Sequence, residues 1–176
     1  MLDTIVAPNA MVTILPSHAQ AEEGMARLRA SGFEMGGLSV VARDRLPDKQ
    51  AVAYCGPGGR ARYWGRDARF WNGVWEALSG WAVFVVPNAH PILAGGRVGE
   101  WMAAAVRNSA VFGGMNALSA VLYGLGISKE AALRCEAAVE ADNILLIVHG
   151  TANSVLKAAD ILDHHHPEGA TDAATT

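Results

Sequence analysis

The side chains best equipped for chemistry in this chain are its histidines, its two cysteines and one glycine-rich turn. His164, His165 and His166 follow Asp163, and imidazole suits zinc, copper and nickel. They fall in a small, polar, Pro/Gly-punctuated stretch, 164–176, that reads as a disordered tail without fixed ligand geometry. A metal or small-ligand sensor is the one role such a cluster suggests. His149 ends an apolar run before Gly150 and Thr151, where an imidazole can be a switch or base or simply a satisfied structural group. His90, between Asn88 and Pro91, suits a turn contact or a helix cap. Gly56, Pro57, Gly58, Gly59 and Arg60 resemble an anion loop but lack the Lys-Ser/Thr of a P-loop, so they read as a hinge. Cys55 and Cys135 form no metal or redox spacing and fit free buried thiols in a reducing compartment. No serine sits in a nucleophile elbow, and no carboxylate pair shares a cleft. The expectation is a protein that is not an enzyme and holds neither cofactor nor metal.

The net charge of −3 and pI near 6.0 give no electrostatic footprint for nucleic acid. The first sixteen residues have no Lys or Arg ahead of an apolar run, and so do not read as a secretory signal. With 176 residues the chain can hold one ample domain or a smaller one plus an insertion.

Elements that could position these groups come in two sets. Ala10 to Leu15 reads as a strand closed by Pro16. Ser17 and Gln20 then form a capping-box pattern, Ala21, Met25 and Leu28 follow at helical spacing, and Gly32 supplies the stop. Leu38 to Ala42 is a second strand and Ala51 to Tyr54 a third. Further on, Ser128 caps a helix with Ala132, Cys135 and Val139 on one face. Asn143 to Val148 is an apolar run of the kind buried on both faces of a sheet. A last helix starts at Thr151 or Asn153 and buries Val155, Ala158, Ile161 and Leu162. The order predicts an α+β fold: a ferredoxin-like βαββαβ sandwich, split by an insertion, plus a C-terminal helix. Its parts are 1–59, the N-terminal half; 60–126, the apolar insertion; 127–163, the C-terminal half; and the tail.

Between Phe70 and Gly126 only Glu76, Arg97, Glu100 and Arg107 carry charge, and such a surface must meet protein or lipid. The insertion reads as a helical hairpin. Its first arm, about 70–86, aligns Trp71, Trp75, Leu78, Ala82 and Val85. Its second, about 97–124, aligns Ser109, Gly113, Ala117, Ala120 and Gly124 as a small-residue ridge along which backbones can approach closely. That ridge is the expected oligomer interface, and Gly113→Leu with Ala117→Leu is expected to break it. A span needs ~20 apolar residues, and a central charge such as Glu76 costs at least ~2.5 kcal/mol. The expectation is therefore a self-packed helical core whose outer face touches lipid or a partner, the alternatives being an integral two-pass hairpin and a fully internal soluble one. Trp64, Trp71, Trp75 and Trp81 are the expected anchors, with Arg60, Arg62, Arg66 and Arg69 at headgroup level; the other reading of the aromatics is a large-side-chain core beneath the sheet, with the arginines solvated outside.

The stretches ILPSHAQAEEGMARLRASGFEMGGLSVVARD, RYWGRDARFWNGVW and LSAVLYGLGISKEAALRCEAAVEADNILLIVHGT resemble a bacterial family of heat-induced general stress proteins, often described as glycine-zipper membrane proteins. The resemblance spans most of residues 11–160 and rests chiefly on the Tyr-Trp-Gly, FWNGVW and LLIVHGT elements. It implies a cytoplasmic domain with a membrane-associated helical insert and offers no catalytic residues. Here Glu76, Asn88, His90, Arg97, Glu100 and Arg107 interrupt the block, which favours protein contacts over simple spanning. The reading is a non-catalytic, membrane-associated, stress-type or structural homo-oligomer at the cytoplasmic face of the inner membrane, its partners being itself and the lipid surface. A second reading is a scaffold subunit of a membrane-associated oxidoreductase complex, its hairpins enclosing an apolar chamber for lipid or quinone.

Overall fold

The computed structural model describes residues 3–43, 68–78, 83–86, 92–107 and 117–163. Six strands form one sheet: β1 (Asp3–Ala7), β2 (Ala10–Leu15), β3 (Leu38–Arg43), β4 (Val83–Val86), β5 (Ile92–Gly95) and β6 (Ile144–His149). Their order is β1-β2-β6-β3-β5-β4, and every neighbouring pair is antiparallel. The described residues also include six helices: α1 (His18–Ala30), α2 (Ala68–Ala77), α3 (Arg97–Arg107), α4 (Ala117–Gly124), α5 (Lys129–Glu140) and α6 (Ala152–Asp163). A short 3-10 turn, Met35–Gly37, precedes β3.

Alternation along the strands divides the core in two. Met11, Leu15, Leu38, Val40, Leu93, Ile144, Leu146 and Val148 face α1, α2 and α6. Ala10, Val12, Val41, Ile92, Ala94, Leu145 and Ile147 face α3, α4 and α5. The result is a three-layer sandwich with helices on both faces of the sheet. β6 lies between β2 and β3 and is buried along its whole length, which explains its unbroken apolar sequence. β2, α1 and β3 form a crossover that leaves room for β6 between its two strands.

Local sequence explains the ends of the helices. Ser17 and Ser128 cap α1 and α5, accepting from the backbone N–H of Gln20 at 3.3 Å and of Ala131 at 3.2 Å. Three helices end in the same doubly bonded cap. In α1 the Phe33 N–H reaches Leu28 O and the Gly32 N–H reaches Arg29 O; in α4 Ile127 reaches Leu122 and Gly126 reaches Tyr123. In α5 Asn143 reaches Ala138 and Asp142 reaches Val139. The left-handed residue is Gly32 (φ 74), Gly126 (φ 97) and Asp142 (φ 66), the last a non-glycine in a glycine's place.

The α+β class stands, but the sheet does not have the ferredoxin-like order, and its helices do not share one face. The expected helical hairpin is also different. Its first arm is the helix α2 followed by the strand β4, and the turn region contributes β5. β4 and β5 pair antiparallel and complete the same sheet, so this part of the insertion belongs to the domain. Both faces of β5 are buried, and a doubly buried strand carries the same apolar run as a buried helix. The second arm comprises two helices, α3 and α4. Among the described residues no helix is long and apolar enough to cross a membrane. The expected strand 51–54 lies outside the described residues.

Candidate functional site

Two places on the described surface and core bring together groups with more than packing to offer. The first lies where β6 ends, β3 begins and α3 starts. Antiparallel pairing sets Leu38 opposite Val148, so Ser39 and His149 arrive side by side on the face covered by α3. Ser39 Oγ and His149 Nε2 are 3.2 Å apart and buried, Ser39 completely and His149 to 7% exposure. Ser39 Oγ also accepts the backbone N–H of Val98 at 3.2 Å, tying down the first turn of α3. One turn along that helix, the Trp101 ring meets the His149 ring edge-on, their centroids 5.0 Å apart.

Glycine makes this convergence possible. Gly96 holds φ at +98, and a Cβ there would stand 2.6 Å from Ser39 Oγ and 2.7 Å from Leu38 O. A Cβ on Gly37 would stand 2.9 Å from His149 O. Glycine is required at Gly96 both for its backbone angle and for the closeness of β3.

Burial, and secondarily the positive field of Arg97, pushes the His149 imidazole down from 6.5 to about 4. The ring is therefore neutral at pH 7. Either its Nε2–H donates to Ser39, or the Ser39 hydroxyl donates to Nε2; in both arrangements an oxygen lone pair remains to accept the Val98 N–H. A serine–histidine contact is the starting geometry for nucleophile activation. Here the hydroxyl is fully enclosed and already accepts the α3 amide, so in this conformation it joins three elements and presents no reachable nucleophile.

The second place is the outer side of α4. Leu118, Ser119 and Leu122 turn inward, and the helix packs between α3 and α5. Ala117, Ala120 and Val121 are half-buried, while Tyr123 is 56% exposed. Gly124 is exposed, and a Cβ added there would meet nothing within 4 Å. The C-terminal part of the expected small-residue ridge, Ala117, Ala120 and Gly124, thus runs along the less buried side of α4. On the adjoining α5, Leu133 is exposed as well.

The remaining sequence candidates fall as follows. Ser109, Gly113, Trp64 and Trp81 lie outside the described residues, as do Cys55, residues 56–60, His90 and the triple-histidine tail. Trp75 lies on α2. Trp71 is not a surface anchor: it is 1% exposed and packs edge-on to Phe70 at 5.2 Å within the core under α1 and α2. Its position on the stripe that buries Phe70, Val74 and Leu78 explains the burial. Cys135 is buried as expected, and desolvation raises its thiol to about 11, so it is inert at neutral pH. Among the described residues no cluster of His, Cys, Asp or Glu is placed to hold a metal ion.

Sequence reasoning found His149 but missed Ser39, Arg97 and Trp101 around it. The available signal was the glycines that precede or follow each partner: Gly36-Gly37 before Ser39, Gly95-Gly96 before Arg97 and Gly150 after His149.

No family model matches the chain, and no curated protein or solved structure shows significant similarity to it.

Proposed function

We propose that this protein is a non-catalytic assembly module of the general-stress type, whose copies associate through the outward side of α4 and gather at the inner-membrane surface. The observation that carries the reading is the stripe Ala117–Ala120–Gly124 beside exposed Tyr123, opposite the buried pair Leu118 and Leu122. Small side chains let a second backbone come close, and an exposed tyrosine supplies a rigid amphipathic anchor. Exposed Leu133 on α5 extends the apolar character of that layer. The membrane contact we propose is peripheral, made by the same helical layer.

The test is light scattering on a size-exclusion column, with wild type beside Ala120→Arg and Gly124→Arg. The expected result is an oligomer that both variants reduce to monomers, with unchanged far-UV circular dichroism. A monomeric wild type, or variants that keep the wild-type mass, overturns the interface. Flotation with anionic vesicles tests the membrane part separately: the wild type is expected in the lipid layer, and its absence there removes that part of the proposal.

A further inference from the structure

Ser39, His149, Arg97 and Trp101 perform no task in the assembly proposed above. Their arrangement is nevertheless specific. One hydroxyl joins the end of the central strand β6 to the first turn of α3, through a titratable ring on one side and a backbone amide on the other. The ring is capped by Trp101, and α3 begins immediately after a left-handed glycine that seats it against β3.

We propose that Ser39 and His149 form a proton-operated latch, which holds the first turn of α3 on the sheet while the imidazole is neutral and releases it when the imidazole takes a proton. Protonation places a proton on both ring nitrogens. The Ser39 hydroxyl can then no longer donate to Nε2, and a buried cation stands beside Arg97. Water can relieve both only if the α3 turn bearing Arg97 and Trp101 moves off the ring.

The surroundings offer little to neutralise that cation. From the first turn of α3 the charged groups are Arg97 and Glu100, both exposed. The turn before β3 brings Glu34, also exposed, while β2 brings Ala10 opposite His149 and β3 brings Leu38 and Ser39. Gly150 and Thr151 follow the ring in sequence and carry no charge. Arg97 is the described charged group whose field reaches the imidazole, and it opposes protonation. Removing Arg97 therefore lets the closed form tolerate the protonated ring better, and weakens the drive to open on acidification. The structure that opens is α3 over Val98 and Met102, both fully buried against the sheet side that also holds Leu118 and Leu122.

The experiment is hydrogen exchange with mass spectrometry on the full chain from pH 7.5 to pH 4, corrected for the intrinsic exchange rate. Residues 96–107 are compared with β6, 144–149, as the internal reference. With an imidazole that titrates at about 4 in the closed form and near its ordinary 6.5 in the open one, opening of α3 is expected to rise about 20-fold between pH 7 and pH 5 and to exceed the opening of β6 at each pH. His149→Gln keeps a hydrogen-bonding group but cannot titrate here, and is expected to abolish the step. Arg97→Gln is expected to fold and to show a smaller step than wild type, because the closed form then holds the proton more readily.

The latch is overturned by any of three results: no pH step over 96–107, exchange over 96–107 no faster than over β6 at each pH, or a step that survives His149→Gln. Should His149→Gln fail to fold, the size of the Arg97→Gln step decides alone, and an undiminished step rejects the proposal. These readouts come from α3 in a single chain. They stay interpretable whether or not copies assemble through α4.

Discussion

At the scale of single residues, burial of His149 ties stability to pH in one direction. The folded imidazole titrates at about 4 and the unfolded one near 6.5, so the unfolded chain binds the proton first as pH falls. The stabilisation is complete above about 6.5 and is lost progressively down to about 4. Between pH 7 and pH 5 this one group is expected to cost roughly 2 kcal/mol. Urea unfolding at both values, for wild type and His149→Gln, checks it: the variant should lose that much less stability on acidification. Sequence alone showed a histidine at a strand end. It could not show a fully enclosed hydroxyl beside it, because Ser39 and His149 meet only through the β3–β6 pairing.

At the scale of elements, two backbone positions decide how helices begin and end. Gly96→Ala would force a Cβ to 2.6 Å from Ser39 Oγ at a φ of +98, lifting α3 from β3. The expected loss is at least about 2 kcal/mol, read from thermal or denaturant unfolding. Asp142 has the opposite problem, holding φ 66 at the end of α5 where α1 and α4 use glycine. Asp142→Gly is expected to raise stability by up to about 1 kcal/mol, seen as a higher unfolding midpoint. These caps also show what was legible. Ser17, Gly32 and Ser128 mark their helices in the sequence because capping is local; α1 and α5 have the expected buried faces, and α6 does too except that Ile161 is half-buried. β2, β3 and β6 were legible as short β-branched or apolar runs. The block from α2 to α3 was not, because β4 and β5 are four residues each and their apolar runs continue those of the adjacent helices. β1 was missed because it is an edge strand, largely exposed and held through β2 and an Asp3–Arg134 ion pair at 3.0 Å.

At the scale of the molecule, strand order separates the expected architecture from the observed one. Apart from the added edge strand β1, both put β-α-β in the first part and α-β-α at the end, and no local pattern dictates which strands become neighbours. Placing β6 between β2 and β3 gives the chain a doubly buried centre, and helices then cover both faces. One consequence is that α4 is held from both sides by α3 and α5 with its small-residue side turned outward. A rigidly seated helix with such a face is what the proposed assembly requires, and disulfide trapping examines it most directly. Gly124→Cys, made in a Cys55→Ser background, leaves buried Cys135 as the other thiol. The account predicts a covalent dimer under mild oxidation at micromolar protein, and none when Ala120→Arg is added. A chain that stays monomeric under oxidant, or that cross-links equally well with Ala120→Arg, contradicts assembly through α4.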